Sequence, residues 1–201
     1  MASPPAKNTK KIDPVRRRFI KMTIFSGLTA FVPLHALAAI PDFTPQDRSL
    51  NLYNPVTEET LTTTYWFNGQ YVPEALEKID YIMRDHRTDE VKSIDLGLIN
   101  LLHTIKIQIE LDEPFHIVSG YRCRKSNELL RKSGRNAARN SYHLKGQAAD
   151  IRLPDGHLAS LLKVATVIKG GGVGYYPRDN FVHVDVGPVR YWSPRGRKNA
   201  S

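Results

Sequence analysis

The sequence predicts an α+β fold, a small antiparallel sheet with helices packed on one side. Short β-branched and aromatic runs alternate with longer segments of helical apolar spacing, and the strands lie close together in the chain. Hydrophobic residues make up 41% of the 201 positions, enough for one core and too many for a largely disordered chain.

The first element is a ribbon. Leu50–Tyr53 and Thr62–Phe67 flank the polar turn Asn54–Glu59, and Asn68-Gly69 is a strong hairpin signal. Pro73 then opens a helix that carries Leu76, Ile79, Ile82 and Met83 at helical spacing. A second helix is expected from about Ser93 to Ile109, with Leu98, Leu101, Leu102, Ile105 and Ile109 on one face. His86 and His103 read as ordinary histidines of these two helices. Phe115–Ser119 is a strand ended by Gly120, and Asn127–Lys132 a short helix. The basic loop Ser133–Asn140 leads to a strand over Gln147–Leu153. His157–Lys169 is an apolar helix, with Gly170-Gly171-Gly172 as its expected C-cap. Val173–Tyr176 and Phe181–Val186 are two more strands joined by a turn at 177–180.

The net charge of +9 at first suggests nucleic acid or a membrane. Residues 1–38, however, hold seven basic residues against Asp13 alone, which leaves +3 for the rest. That segment reads Arg16-Arg17-Arg18-Phe19-Ile20-Lys21, then an apolar stretch from Met22 to Leu34, then Ala36-Leu37-Ala38-Ala39. A basic start, an apolar middle and an Ala-x-Ala end make a signal peptide, and the paired arginines are similar to a twin-arginine signal. Cleavage after Ala38, no lasting membrane span, passage through the twin-arginine export machinery and a periplasmic location are expected. A nucleic-acid partner is not. Residues 39–72 then form an extension with the hairpin, 73–194 the main domain and 195–201 a basic tail. The single cysteine, Cys123, excludes an intramolecular disulfide and reads as a small buried hydrophobe.

Two segments carry chemistry. Ser141-Tyr142-His143-Leu144-Lys145-Gly146-Gln147-Ala148-Ala149-Asp150 sets a His and an Asp seven positions apart across a glycine turn. Phe181-Val182-His183-Val184-Asp185 puts His183 and Asp185 on one face of a strand. Imidazole and carboxylate both suit Zn²⁺, and three protein ligands leave one place for water, as hydrolysis needs. The other reading is of satisfied polar residues at strand ends.

His143-x6-Asp150, with His183 a further 33 positions on, is similar to the pattern of the zinc D-alanyl-D-alanine carboxypeptidases and their lysostaphin and hedgehog relatives. Ser119-Gly120-Tyr121-Arg122 and Gly172-Val173-Gly174-Tyr175-Tyr176 resemble that superfamily's flanking motifs, and the Val189–Trp192 ending resembles its YcbK-like exported branch. The resemblance covers roughly residues 74–192 and leaves the ribbon outside.

The resemblance implies a zinc peptidase that cuts amide bonds in peptidoglycan peptides, with His143, Asp150 and His183 as ligands to one Zn²⁺. It makes Arg122 a holder of a substrate carboxylate or of the developing oxyanion, the alternative being a structural ion pair. Ser141 and Tyr142 line the cleft or serve a turn. The chain departs from its relatives at the general base: Asn180, Phe181 and Val182 occupy the usual positions, and Asp179 is one residue too early, though it could reach from the turn. Asp185 either takes the base role or orients His183, the second being preferred. A non-catalytic, zinc-containing wall-binding or scaffolding protein is the competing function.

Overall fold

The structure is a computed structural model and describes residues 46–110, 112–134, 137–154 and 157–193. The expected signal segment 1–38 and the basic tail lie outside them. Among the described residues the fold is α+β, and its strands form one eight-stranded sheet in the order β3-β2-β1-β4-β5-β7-β6-β8. Most neighbours are antiparallel; β1–β4 and β6–β8 are parallel.

The ribbon forms as its sequence predicts. β1 (Arg48–Asn54) buries Leu50 and Leu52 on alternate positions and pairs with β2 (Glu59–Phe67). Asn68 and Gly69 have φ of 48° and 81°, the left-handed pair that a two-residue hairpin turn needs, and lead into β3 (Gln70–Tyr71). The ribbon is not a separate appendage. β1 pairs in parallel with β4 (Phe115–Ser119), so both belong to one sheet.

Helix α1 (Pro73–Ile82) starts on its proline. α2 (Leu96–Ile109) begins three residues later than expected, because Asp95 caps it by accepting from the Gly97 N–H at 2.8 Å. His86 falls in the turn after α1 and in no helix, which corrects its expected place. α3 (Arg124–Lys132) starts three residues earlier than expected. Asp85 takes the Cys123 N–H at 2.8 Å, and the cysteine sulfur accepts from the Ser126 N–H, so the first turn is capped from both sides.

A 3-10 turn (Tyr142–Lys145) precedes β5 (Ala148–Arg152). After α4 (Leu158–Ile168) the left-handed cap is Lys169, φ 55°, rather than the glycine run. Those glycines serve close approach instead: a Cβ on Gly171 would lie 1.8 Å from the Asp185 carbonyl oxygen. β6 (Gly172–Tyr176), β7 (Phe181–Asp185) and β8 (Arg190–Trp192) complete the sheet. β8 was not anticipated from the Val189–Trp192 motif.

Helices α1, α2 and α4 cover one face of the sheet. Leu98, Ile99, Leu102 and Ile105 of α2 and Leu161 and Ala165 of α4 meet Ala149, Ile151, Val182 and Val184 in a continuous core. By strand alternation Ala148, Asp150, His183 and Asp185 turn to the opposite face. One face is therefore spent on stability and the other is left for chemistry. Leu102 is fully buried, so Leu102→Ala should cost about 2–5 kcal/mol in urea unfolding, with an unchanged m-value.

Candidate metal centre

The sheet register assembles the site. Asp150 on β5 stands directly opposite His183 on β7, and Ser119 on β4 opposite Asp150. His143 arrives from the 3-10 turn. That turn is capped by the Ser141 hydroxyl, which accepts from the His143 N–H at 3.3 Å, and is closed by Gly146 at φ 69°. A side chain at 146 would be strained there and would also meet the Ser93 carbonyl oxygen at 2.5 Å. The Arg122 N–H donates to the His143 carbonyl at 3.1 Å and fixes the turn against the strand-end loop.

Three atoms converge. His183 Nδ1 lies 2.8 Å from Asp150 Oδ1, His143 Nε2 lies 3.3 Å from the same oxygen, and the two nitrogens are 3.2 Å apart. Donor atoms held at 2.0–2.1 Å around a tetrahedral zinc lie about 3.3 Å from one another. The separations suit such an ion.

The outer hydrogen bonds decide which way each ring faces. His143 Nδ1 is 2.7 Å from the Gly120 carbonyl oxygen, which can only accept, so this nitrogen carries the hydrogen. His183 Nε2 is 3.0 Å from the Asp185 carboxylate and is likewise the donor. The two remaining lone pairs point at each other and at an anionic oxygen. Only a cation between them, a proton or a metal, makes that arrangement favourable.

The ionisation of the three groups follows. Burial pushes His143 down. Burial also opposes charge on His183, but the carboxylates of Asp150 and Asp185 outweigh it and push that imidazole up to about 8. Asp150 is buried, yet the two imidazoles hold it well below the usual carboxylate range. Asp185 is fully buried and is held low by His183 and Arg190. It accepts from His183, Arg190 and the backbone N–H groups of Gly172 and Gly187, so every nearby donor is already bound.

The site opens into a cleft of about 1320 Å³ lined by Ser119, Arg122, Ser141, Tyr142, His143, Asp150 and His183, with Asp179 at its edge. Arg122 is buried. Its Nη2 donates to Ser119 Oγ at 3.1 Å and reaches Asp150 Oδ2 at 3.5 Å, while its Nε has no partner among the described residues. Asp185 does not line the cleft. The residues that sequence reasoning missed are Tyr176, Arg190 and Trp192. Arg190 grips both oxygens of Asp185 and lies over the Tyr142 ring at 5.1 Å. All three fall inside motifs that were legible as resemblance, but only the register shows what they touch.

Without a metal, the raised His183 value gives a stability contribution fully present below about 6.5, its ordinary value, and lost as pH rises through about 8. Chelator-treated protein should therefore melt at progressively lower temperature between pH 6.5 and 9. Added zinc should abolish that trend, as read by calorimetry.

A family model described as Peptidoglycan L,D-endopeptidase MepK, of the M15 peptidase type, matches residues 42–192. The protein of that name from Escherichia coli K12 is 37% identical over 182 residues, covering 90% of this chain and 99% of its own length. The Shigella flexneri protein of the same name gives the same figures. The probable peptidoglycan L,D-endopeptidase MepK of Haemophilus influenzae Rd is 35% identical over 182 residues, covering 90% of this chain and 97% of its own. No solved structure matches the chain. The matched span takes in the ribbon, which the motif resemblance had left out. The chain belongs to the peptidoglycan L,D-endopeptidase MepK family.

Proposed function

We propose that this chain is a zinc-dependent endopeptidase that hydrolyses L,D-linked amide bonds in peptidoglycan peptides. The observation that carries the reading is the convergence of His143 Nε2, Asp150 Oδ1 and His183 Nδ1 at 2.8–3.3 Å on the floor of an open cleft. The relatives named for that activity support this choice of bond and polymer. M15 peptidases are generally zinc-dependent, and the donor set of two imidazoles and one carboxylate fits that ion.

His143, Asp150 and His183 would hold the zinc, with the Gly120 carbonyl and the Asp185–Arg190 pair fixing the imidazoles from behind. Bound zinc supplies Lewis acidity and lowers the pKa of water. Arg122 keeps Asp150 in place and presents its guanidinium to the substrate. Asp185 is saturated and buried, so it orients His183 and does not take the proton from water. Among the described residues lining the cleft the carboxylates are Asp150 and Asp179, and the first is committed to the metal. Asp179 is then the proton acceptor, reaching in from the β6–β7 turn. Ser141 holds the 3-10 turn and Tyr142 forms cleft wall.

The same proposal includes export by the twin-arginine route and action in the periplasm. The Arg16–Arg18 run, the apolar stretch and Ala36–Ala39 support it, as does the location of the polymer outside the cytoplasm. No helix among the described residues is long and apolar enough to cross a membrane.

Defined muropeptides with L,D or D,D cross-links, digested by zinc-loaded protein and read by mass, test the reading. Cleavage of the L,D link with one zinc per chain is expected. Zinc binding without any cleavage would favour the wall-binding alternative. His183→Ala should lose both metal and activity. Asp185→Asn should weaken zinc binding by about 10–100-fold, and Asp179→Asn should lower kcat by about 10²–10⁴-fold with zinc retained.

A further inference from the structure

Tyr176, Phe181 and Trp192 form one wall of the cleft, and the roles above do not use them. Along β6, Val173 and Tyr175 turn to the helix-covered core, so Gly174 and Tyr176 turn to the cleft face. Gly174 stands opposite His183, and Tyr176 opposite Phe181. Tyr176 is thus diagonal to His183 on that face, ~7–8 Å away across the strand pair.

The space between them is filled by Trp192. A Cβ on Gly174 would lie 2.6 Å from the indole, so the glycine is what admits the ring. The indole sits 5.2 Å from the His183 ring, and its Nε1 donates to Tyr176 Oη at 3.0 Å. Phe181 stacks on the Tyr176 ring at 4.5 Å and 16°. The phenol is pinned by a face and by its oxygen.

The direction of the Trp192 bond is fixed, because an indole N–H can only donate. Tyr176 Oη is the acceptor there, and its own hydrogen has no acceptor among the described residues. Burial pushes the phenol up from its ordinary value, so the hydrogen stays on at neutral pH. Arg122, another donor in the cleft, gives Nη2 to Ser119 and Asp150.

Resting on the peptidase reading, we propose that Tyr176 is a catalytic hydrogen-bond donor. Its Oη–H, aimed by Trp192, binds the carbonyl oxygen of the scissile amide and strengthens as charge grows there during attack by water. The proton stays on tyrosine throughout. A donor fixed in advance, part-way out of water, does not have to reorganise when that charge develops.

Tyr176→Phe keeps the ring stack and removes only the hydroxyl. Steady-state kinetics on an L,D-linked muropeptide should show kcat lowered by ~10²-fold with KM within about twofold. A phosphinate mimic of the tetrahedral carbon should bind ~10²-fold more weakly, with product peptide binding unchanged. Zinc content should match wild type, and the melting temperature should fall by no more than the lost Trp192 hydrogen bond accounts for. Trp192→Phe, which leaves the hydroxyl but removes the group that aims it, should lose about tenfold in kcat and covers the case in which Tyr176→Phe does not fold. If wild type cleaves and both variants equal it, the Tyr176 assignment is overturned and the peptidase reading stands. A loss explained entirely by missing zinc or a lowered melting temperature also overturns the assignment. If wild type cleaves no muropeptide, the peptidase reading fails and takes this proposal with it.

Discussion

The interaction on which the rest depends is the crowding of three donor atoms around one point. Two imidazole lone pairs and a carboxylate oxygen are held within 3.3 Å of one another by groups that cannot release them. The Gly120 carbonyl and the Asp185 carboxylate each take one ring hydrogen, and so each forces the opposite nitrogen inward. Ringed by buried partners, that arrangement is favourable only with a cation at its centre, a proton or a metal.

The backbone makes this possible through register and through space. Because side chains alternate, a one-residue slip of β5 against β7 would send Asp150 into the helix-facing core and bring Ala149 to the cleft. The apolar pairs Ala149–Val184 and Ile151–Val182 forbid the slip, so the core that stabilises the sheet also sets the chemistry on its other face. Glycine does the remaining work. At Gly120 a Cβ would lie 2.3 Å from the Met83 carbonyl oxygen, and the carbonyl of that same glycine receives His143.

Much of this was legible in the residues and some was not. The hairpin could be read because Asn68-Gly69 states its own dihedral angles, and the convergence of His143, Asp150 and His183 because they stand in a recognisable order with their flanking motifs. The helix starts were misjudged by three residues, since Asp95 and Cys123 cap through partners that periodicity does not reveal. The glycine run before β6 looked like a helix cap because three glycines carry no sign of which neighbour presses on them. β1 joining β4 in parallel, and Arg190 and Trp192 folding back on Asp185 and Tyr176, are contacts between distant segments, and no local pattern encodes those.

The edge strand β8 ties the working face to the rim of the sheet. Its three residues Arg190–Trp192 pair on one side only, with β6, yet they supply the clamp on Asp185 and the ring beside His183. Fraying of that short rim would loosen both contacts together and leave the helix-covered core intact.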